Sequence, residues 1–475
     1  MADDPFVTVT YGEVRLVAAP EKPPPKKIGW WGKVAGFFST SFTVLTKMAI
    51  IVSVLGVLAV TWSEVFNRPV VLEPIGMPTK LAEMGFSKEV AAQRLWDAVV
   101  EINDQVDTVK GHTSFVSQAR QLEVAEPGMG LSIQSLADLM RSLFNKPQTR
   151  VAGEFICTDL ACTLEKVELR VRVFDGKNLR IARLGPVGTI KTDEELNEYF
   201  HAAGIEVLRL VDPYVLSVFF SNQGNVDSAK KIAKAMIESK GDDLMKWGYV
   251  RRGNIQIRQK SFEEAKNSFE MAIEIDPSLA VSHSNLGNAL GRLGFSKEAL
   301  QSFEAAIQLD PEEVYSHNGK GSVLYNLNRN EEALQSLEKA LSLDPAYVNA
   351  HNGMGLVLRK LGRKKDAIVS YQRAIELDPD YRWAYNNMGF VLFELGKFSE
   401  AIASHQKAIA LGYDGRDATR GWRDALISMV DNAPEKCVTF AELFSPFKTH
   451  LLAADKSWAL VDFEEILAEC PIEEG

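Results

Sequence analysis

Residues 280–313 read "AVSHSNLGNALGRLGFSKEALQSFEAAIQLDPEE", and residues 314–347 read "VYSHNGKGSVLYNLNRNEEALQSLEKALSLDPAY". Set one above the other, glycine falls on glycine, alanine on alanine and Asp-Pro on Asp-Pro. The register extends in both directions. Pro277, Pro311, Pro345 and Pro379 stand 34 residues apart, each after an aspartate. Gly253, Gly287, Gly321, Gly355 and Gly389 keep the same step, as do Ala265, Ala299, Ala333, Ala367 and Ala401, and then Ala272, Ala306, Ala340, Ala374 and Ala408. Several residue classes locked to one long period signal a stacked array of identical supersecondary units.

Each unit reads as two helices. Leu293-Gly294, Leu327-Asn328, Leu361-Gly362 and Leu395-Gly396 close the first helix, because glycine or asparagine takes the left-handed turn that ends it. The proline after the second helix stops that one. Small residues belong where two helices cross closely, and Phe269, Phe303, Leu337 and Tyr371 fill the remaining interface. This pattern resembles the tetratricopeptide repeat, a helix-turn-helix unit of the same length. Windows counted from Lys246 give five repeats over 246–415, with a degenerate sixth over 211–245 and a helical cap over 416–475.

The resemblance implies a superhelix whose first helices line a concave face that holds an extended peptide or a partner helix. Register then nominates the contact residues. The fifth window position is Val250, Ser284, Asn318, Asn352 and Asn386, and the ninth, one turn along, begins Asn254 and Asn288. The sixth adds Asn285 and Asn387. Asparagine is a poor helix former, so an amide column marks a function or a specific local bond. The amides either hydrogen-bond the main chain of a bound segment or cap and cross-link neighbouring helices. The column is similar to the asparagine ladder in the repeat superhelix of the protein O-glycosyltransferases, which contacts peptide backbone; no glycosyltransferase domain follows here. Asn386 is the stronger candidate of the pair Asn386–Asn387, because it shares a column with Asn318 and Asn352. Arg258 and Arg292 share a position one turn further on, forming either a basic lip for an acidic ligand or solvated surface charge. The carboxylate clamp of chaperone-binding family members is not reproduced, since Val250 and Gly319 stand where basic residues are needed.

His283, His317 and His351 also repeat in register. Neighbouring helices pack on the order of 10 Å apart, whereas zinc ligands each approach to about 2 Å. The histidines therefore read as packing residues, and no metal or other cofactor is expected.

The rest of the chain is different in kind. Ser41–Trp62 is apolar apart from Lys47 and a few hydroxyl residues. Met48–Trp62 alone would make about 22 Å of helix, but counting from Phe42, with Lys47 snorkelling outward, meets the roughly 30 Å hydrocarbon core. A long Pro/Lys-rich stretch precedes it and no A-x-A site follows, which favours an uncleaved transmembrane helix over 41–66. Lys26, Lys27, Lys33 and Lys47 precede the span against Arg68 and Lys80 after it, placing the 1–40 tail in the cytoplasm. The expected setting is a bacterial inner membrane with the bulk periplasmic. All four cysteines follow the span. Cys157 with Cys162, and Cys437 with Cys470, form two disulfides in an oxidising compartment or stay free thiols in a reducing one.

Residues 69–210 mix both periodicities. "VVLEPI", "QLEVAE", "RVAGEFIC", "TLEKVELRVRVF" and "LRIARLG" alternate as strands, while "KEVAAQRLWDAVVEIND", "SIQSLADLMRSLF" and "TDEELNEYFHAAG", ending on Gly204, read as helices. A small α+β membrane-proximal domain is expected there. The net charge of −10 makes nucleic acid a poor partner. No catalytic motif stands in a supporting context. The sequence describes a mainly α, membrane-anchored interaction scaffold. Two alternatives share its elements: a cytosol-facing organellar receptor, or an enzyme with unrecognised chemistry in 69–210.

Overall fold

The computed structural model describes residues 70–73, 75–79, 87–106, 115–117, 148–157, 166–175, 178–186, 192–239, 241–413 and 416–432. Among these, fifteen helices accompany one five-stranded sheet. No helix among the described residues is long and apolar enough to cross a membrane. The span expected at 41–66 lies outside them, as do the 1–40 tail, the strand expected at 121–126, the helix expected at 132–144 and the chain beyond 432.

The chain divides into two compact units, residues 1–73, 114–151 and 174–179 in one and 74–113, 152–173 and 180–475 in the other. The strands are β1 (Val70–Leu72), β2 (Phe115–Ser117), β3 (Arg150–Cys157), β4 (Val167–Phe174) and β5 (Leu179–Pro186), in the sheet order β2-β1-β3-β4-β5. In the first unit β1 pairs in parallel with β2, Val71 opposite Val116, and with the start of β3, Leu72 opposite Val151. In the second unit, β4 alternates as its sequence requires. Val167, Leu169, Val171 and Val173 are fully buried, while Arg170 and Arg172 both pair with Glu154 of β3.

Two helices belong with these strands. Helix α1 (Lys88–Asp104) starts at Ser87, whose Oγ accepts from the Glu89 and Val90 amides. Helix α2 (Asp193–Val211) starts with a capping box, Thr192 and Glu195 each bonding the other's backbone amide. Gly204 does not stop α2, contrary to the sequence expectation. A Cβ there would lie 3.2 Å from the Ala98 backbone of α1, so the glycine serves a close helix crossing and the helix runs on for another two turns.

The remaining helices form pairs. After α3 (Pro213–Asn222) and α4 (Val226–Ile237) come α5 (Asp242–Arg258) with α6 (Phe262–Ile275), α7 (Ala280–Leu293) with α8 (Ser296–Leu309), and α9 (Val314–Asn326) with α10 (Asn330–Leu343). The series continues with α11 (Val348–Lys360) and α12 (Lys364–Leu377), α13 (Arg382–Glu394) and α14 (Phe398–Ala410), and ends on α15 (Arg416–Asn432). Gly294, Asn328, Gly362 and Gly396 occupy left-handed backbone between the helices of a pair, as expected; Lys260 does so in the first pair, with φ 61°.

One contact recurs in all five pairs from α5 to α14. A large side chain of the second helix lodges against the glycine of the first. A Cβ on Gly253 would lie 2.5 Å from the Phe269 ring, on Gly287 2.9 Å from Phe303, on Gly321 2.7 Å from Leu337 and on Gly389 2.7 Å from His405, and Gly355 meets Tyr371 in the same way. Phe269, Phe303, Leu337, Tyr371 and His405 are all buried. Phe303, Leu337 and His405 also abut a glycine of the next helix along the stack, Gly319, Gly353 and Gly421 respectively.

The turn between pairs is built from the Asp-Pro signature. The Asp276, Asp310, Asp344 and Asp378 carboxylates each accept a backbone N–H two residues on, at 2.9–3.1 Å. His283, His317 and His351 then reach back to the carbonyls of Pro277, Pro311 and Pro345, with Nε2 at 2.9, 3.0 and 2.9 Å. Each histidine clasps the turn that precedes it, which accounts for a repeating histidine without a metal. At the C-terminal end α15 packs Trp422, Ala425 and Leu426 against Ala401 and Ile402 of α14 and covers the last pair.

Replacing Gly287 by valine forces a Cβ into Phe303 and is expected to cost about 3 kcal/mol of stability. The control is Gly291→Ala, where the nearest atom to the new Cβ is 3.8 Å away, and a gain of roughly 0.5–1 kcal/mol is expected from helix propensity. Urea unfolding of both variants measures the contrast.

Candidate functional site

The inner surface of the helix stack holds a groove of about 570 Å³. Among the described residues its amides are Asn288 of α7, Asn318 of α9, Asn349 and Asn352 of α11 and Asn387 of α13; its aromatic residues are Tyr315, Tyr325, Tyr347, Tyr381, Trp383 and Tyr413, and Arg292 of α7 is the one charged side chain. Asn387 Nδ2 donates to Asn352 Oδ1 across the repeat boundary at 2.9 Å. Tyr381 Oη donates to Asn349 Oδ1 at 2.7 Å. Burial pushes the Tyr381 phenol up to about 12 and raises the Tyr315 and Tyr347 phenols as well. All three stay protonated, and can donate hydrogen bonds, at any physiological pH.

The structure separates the nominated residues. Asn288, Asn318, Asn352 and Arg292 line the groove together. Asn386 does not: it is buried, and its Oδ1 accepts from Nδ1 of the buried His405 at 3.2 Å. Its neighbour Asn387 takes the groove position instead. Ser284 is also buried, its Oγ 2.8 Å from Ser316 Oγ, beside the Glu313 carboxylate that caps α9. Burial raises the pKa of Glu313 against the opposing pull of the Ser316 hydroxyl. Asn254 hydrogen-bonds Tyr214 of α3. Arg258 is exposed and lies 3.4 Å from Asn222 Oδ1. Asn285 is half-buried, with an enclosed Nδ2 that has no partner. None of these five residues belongs to the groove lining.

The aromatic lining escaped the sequence reading, although a signal was present. Tyr315, Asn349 and Trp383 share the second window position, and Tyr347 and Tyr381 share the last. Both positions flank the Asp-Pro turn, where the chain reads as a connection rather than as a surface. Of the cysteines, Cys157 ends β3, while Cys162, Cys437 and Cys470 lie outside the described residues. Among the described residues no cluster of three or more His, Cys, Asp or Glu is placed to hold a metal ion.

Family models for tetratricopeptide repeats match residues 248–279, 280–313, 321–362, 355–396 and 382–412. The helix pairs of 248–412 are tetratricopeptide repeats. Solved structures with similar repeats include MamA residues 41 to the end from Desulfovibrio magneticus RS-1, at 23% identity, covering 37% of this chain and 100% of that one with a TM-score of 0.32. YrrB, described as a tetratricopeptide-repeat protein with an unusual peptide-binding site, is 25% identical over 40% of this chain and 96% of its own, with a TM-score of 0.31. PilF of Pseudomonas aeruginosa is 22% identical over 48% of this chain and 100% of that one, with a TM-score of 0.38. No curated protein matches the chain.

His405 gives the last repeat a measurable property. Burial depresses its imidazole from the ordinary range to about 4. The unfolded chain binds the proton near pH 6.5 and the folded chain only near 4, so stability is full above the unfolded pKa and falls as pH drops through that window. The loss attributable to this residue is about 3 kcal/mol at most. His405→Phe, which copies the side chain of repeats one and two, is expected to lose less stability than the parent between pH 6.5 and 4. Thermal melts of both chains across that range read the difference.

Proposed function

We propose that this protein is a membrane-anchored scaffold whose tetratricopeptide repeats hold an extended peptide or a partner helix in the concave groove. The lining supports the reading: amides from four successive first helices converge there, offering both donors and acceptors to a main chain. Asparagine at these positions is less favourable for helix than alanine or leucine, and a ligand contact offsets that cost. Asn288, Asn318, Asn352 and Asn387 are the backbone-contacting residues, with Arg292 at one end.

In this proposal the apolar segment 41–66 confines the groove to a membrane surface. The tail 1–40 stays in the cytoplasm and the repeats face the periplasm, where Cys157 pairs with Cys162 and Cys437 with Cys470. The lysines before the span and the position of every cysteine after it support that orientation.

Alanine at both Asn318 and Asn352 is expected to weaken a bound partner or peptide by about tenfold or more, with the helical circular dichroism spectrum unchanged. Full affinity in the folded double variant would remove the groove assignment. For the orientation, Cys157 and Cys162 in undisturbed cells are expected to resist an alkylating reagent until a reductant is added. Free labelling from the cytosolic side would reverse the topology and point to a cytosol-facing receptor.

A further inference from the structure

The two ends of the groove differ in chemistry, and the difference identifies the class of ligand, given the peptide-binding reading above. Among the described residues of the lining, Arg292 is the only one with a charged side chain. Its guanidinium lies 5.2 Å from the centre of the Phe262 ring, is exposed and carries no ion pair among the described residues. In a chain of net charge −10, an unpaired arginine at the edge of a groove is suited to a ligand carboxylate, which its planar fork can bind through two hydrogen bonds.

The other end, three repeats further along, is aromatic. Trp383 stands edge-on to Tyr413, with ring centres 4.8 Å apart at 85°, yet 47% of it remains exposed. The indole is held in place with surface left uncovered. Tyr381 is fixed through its bond to Asn349. Asn352 uses its Oδ1 for Asn387 and keeps its Nδ2 hydrogens as donors. The indole Nε1–H is also a donor and never an acceptor. Fixed ring surfaces accompanied by donors suit proline: its flat aliphatic ring packs on aromatic faces, its preceding carbonyl accepts, and it brings no N–H that would be left unpaired. A proline-rich segment is already extended before binding, so little conformational freedom is lost on docking.

We propose that the groove binds an extended peptide that places an acidic residue or terminal carboxylate at Arg292 and a proline-containing segment against Trp383, Tyr381 and Tyr347. The test is to pan a displayed library of short random peptides on the full-length protein and to synthesise the selected sequences with a fluorescent label. Selected peptides are expected to carry Asp or Glu towards one end and proline towards the other. Trp383→Ala should weaken them roughly tenfold. Arg292→Glu should weaken the acidic peptides several-fold and leave their Asp→Asn or Glu→Gln analogues unaffected. Both substitutions are at exposed positions, and an unchanged circular dichroism spectrum confirms folding.

Peptides that depend on Asn318 and Asn352 but show neither proline nor acid enrichment would overturn this proposal and leave the groove reading standing. Peptides indifferent to Asn318, Asn352, Arg292 and Trp383 alike would overturn both. A labelled, C-terminally amidated peptide of the chain's own Pro20–Lys27 segment carrying Glu21→Gln, rich in proline but without a carboxylate, is expected to bind more weakly than the acidic peptides; equal affinity would overturn the requirement for a carboxylate.

Discussion

A ring, or in one case a leucine, pressed against a glycine holds the repeats together. Each second helix presents one large residue where the first helix has no Cβ, so the two helices cross closely. A buried side chain of this size contributes about 2–3 kcal/mol of apolar burial, and the same side chains at Phe303, Leu337 and His405 also reach a glycine of the next helix along the stack. One residue therefore closes its own pair and docks the neighbour. The spacing and rotation this sets decide which side of each first helix turns inward, and so where the groove lies.

The position of the asparagines follows from that rotation. Asn386 and Asn387 are adjacent on a helix, so their side chains diverge by about 100°. Sequence register favoured Asn386 because it shares a column with Asn318 and Asn352. In the fifth repeat, however, the interlocking residue is histidine, whose ring nitrogen draws the Asn386 oxygen inward. Asn387 is left on the groove side, bonded to Asn352. A period identifies equivalent backbone positions, but one polar substitution in the interface changes what an equivalent side chain does.

Much of the architecture was legible for the same reason that the repeats stack. Gly, Ala and Asp-Pro recur because each does one geometric task, and the five helix pairs and their left-handed turns followed from them. Gly204 shows the limit: glycine ends a helix in some places and permits a crossing in others, and only the approach of Ala98 distinguishes the two. Tyr347, Tyr381 and Trp383 were overlooked because residues beside a turn are half in a connection and half on a surface. The histidine column was read as packing, whereas the ring nitrogens take up the proline carbonyls, a bond that depends on the turn geometry and leaves no trace in composition.

These clasps are unevenly distributed. His283, His317 and His351 secure the first three junctions between repeats, whereas Tyr385 occupies the corresponding place at the fourth and forms no such bond. The fourth junction is bridged differently, by the Asn387–Asn352 bond and by the ion pairs of Glu394 with Arg359 and Lys364. The Asn352–Asn387 pair also lines the groove, so the bond that ties the last two repeats together and the surface offered to a ligand are made of the same two side chains.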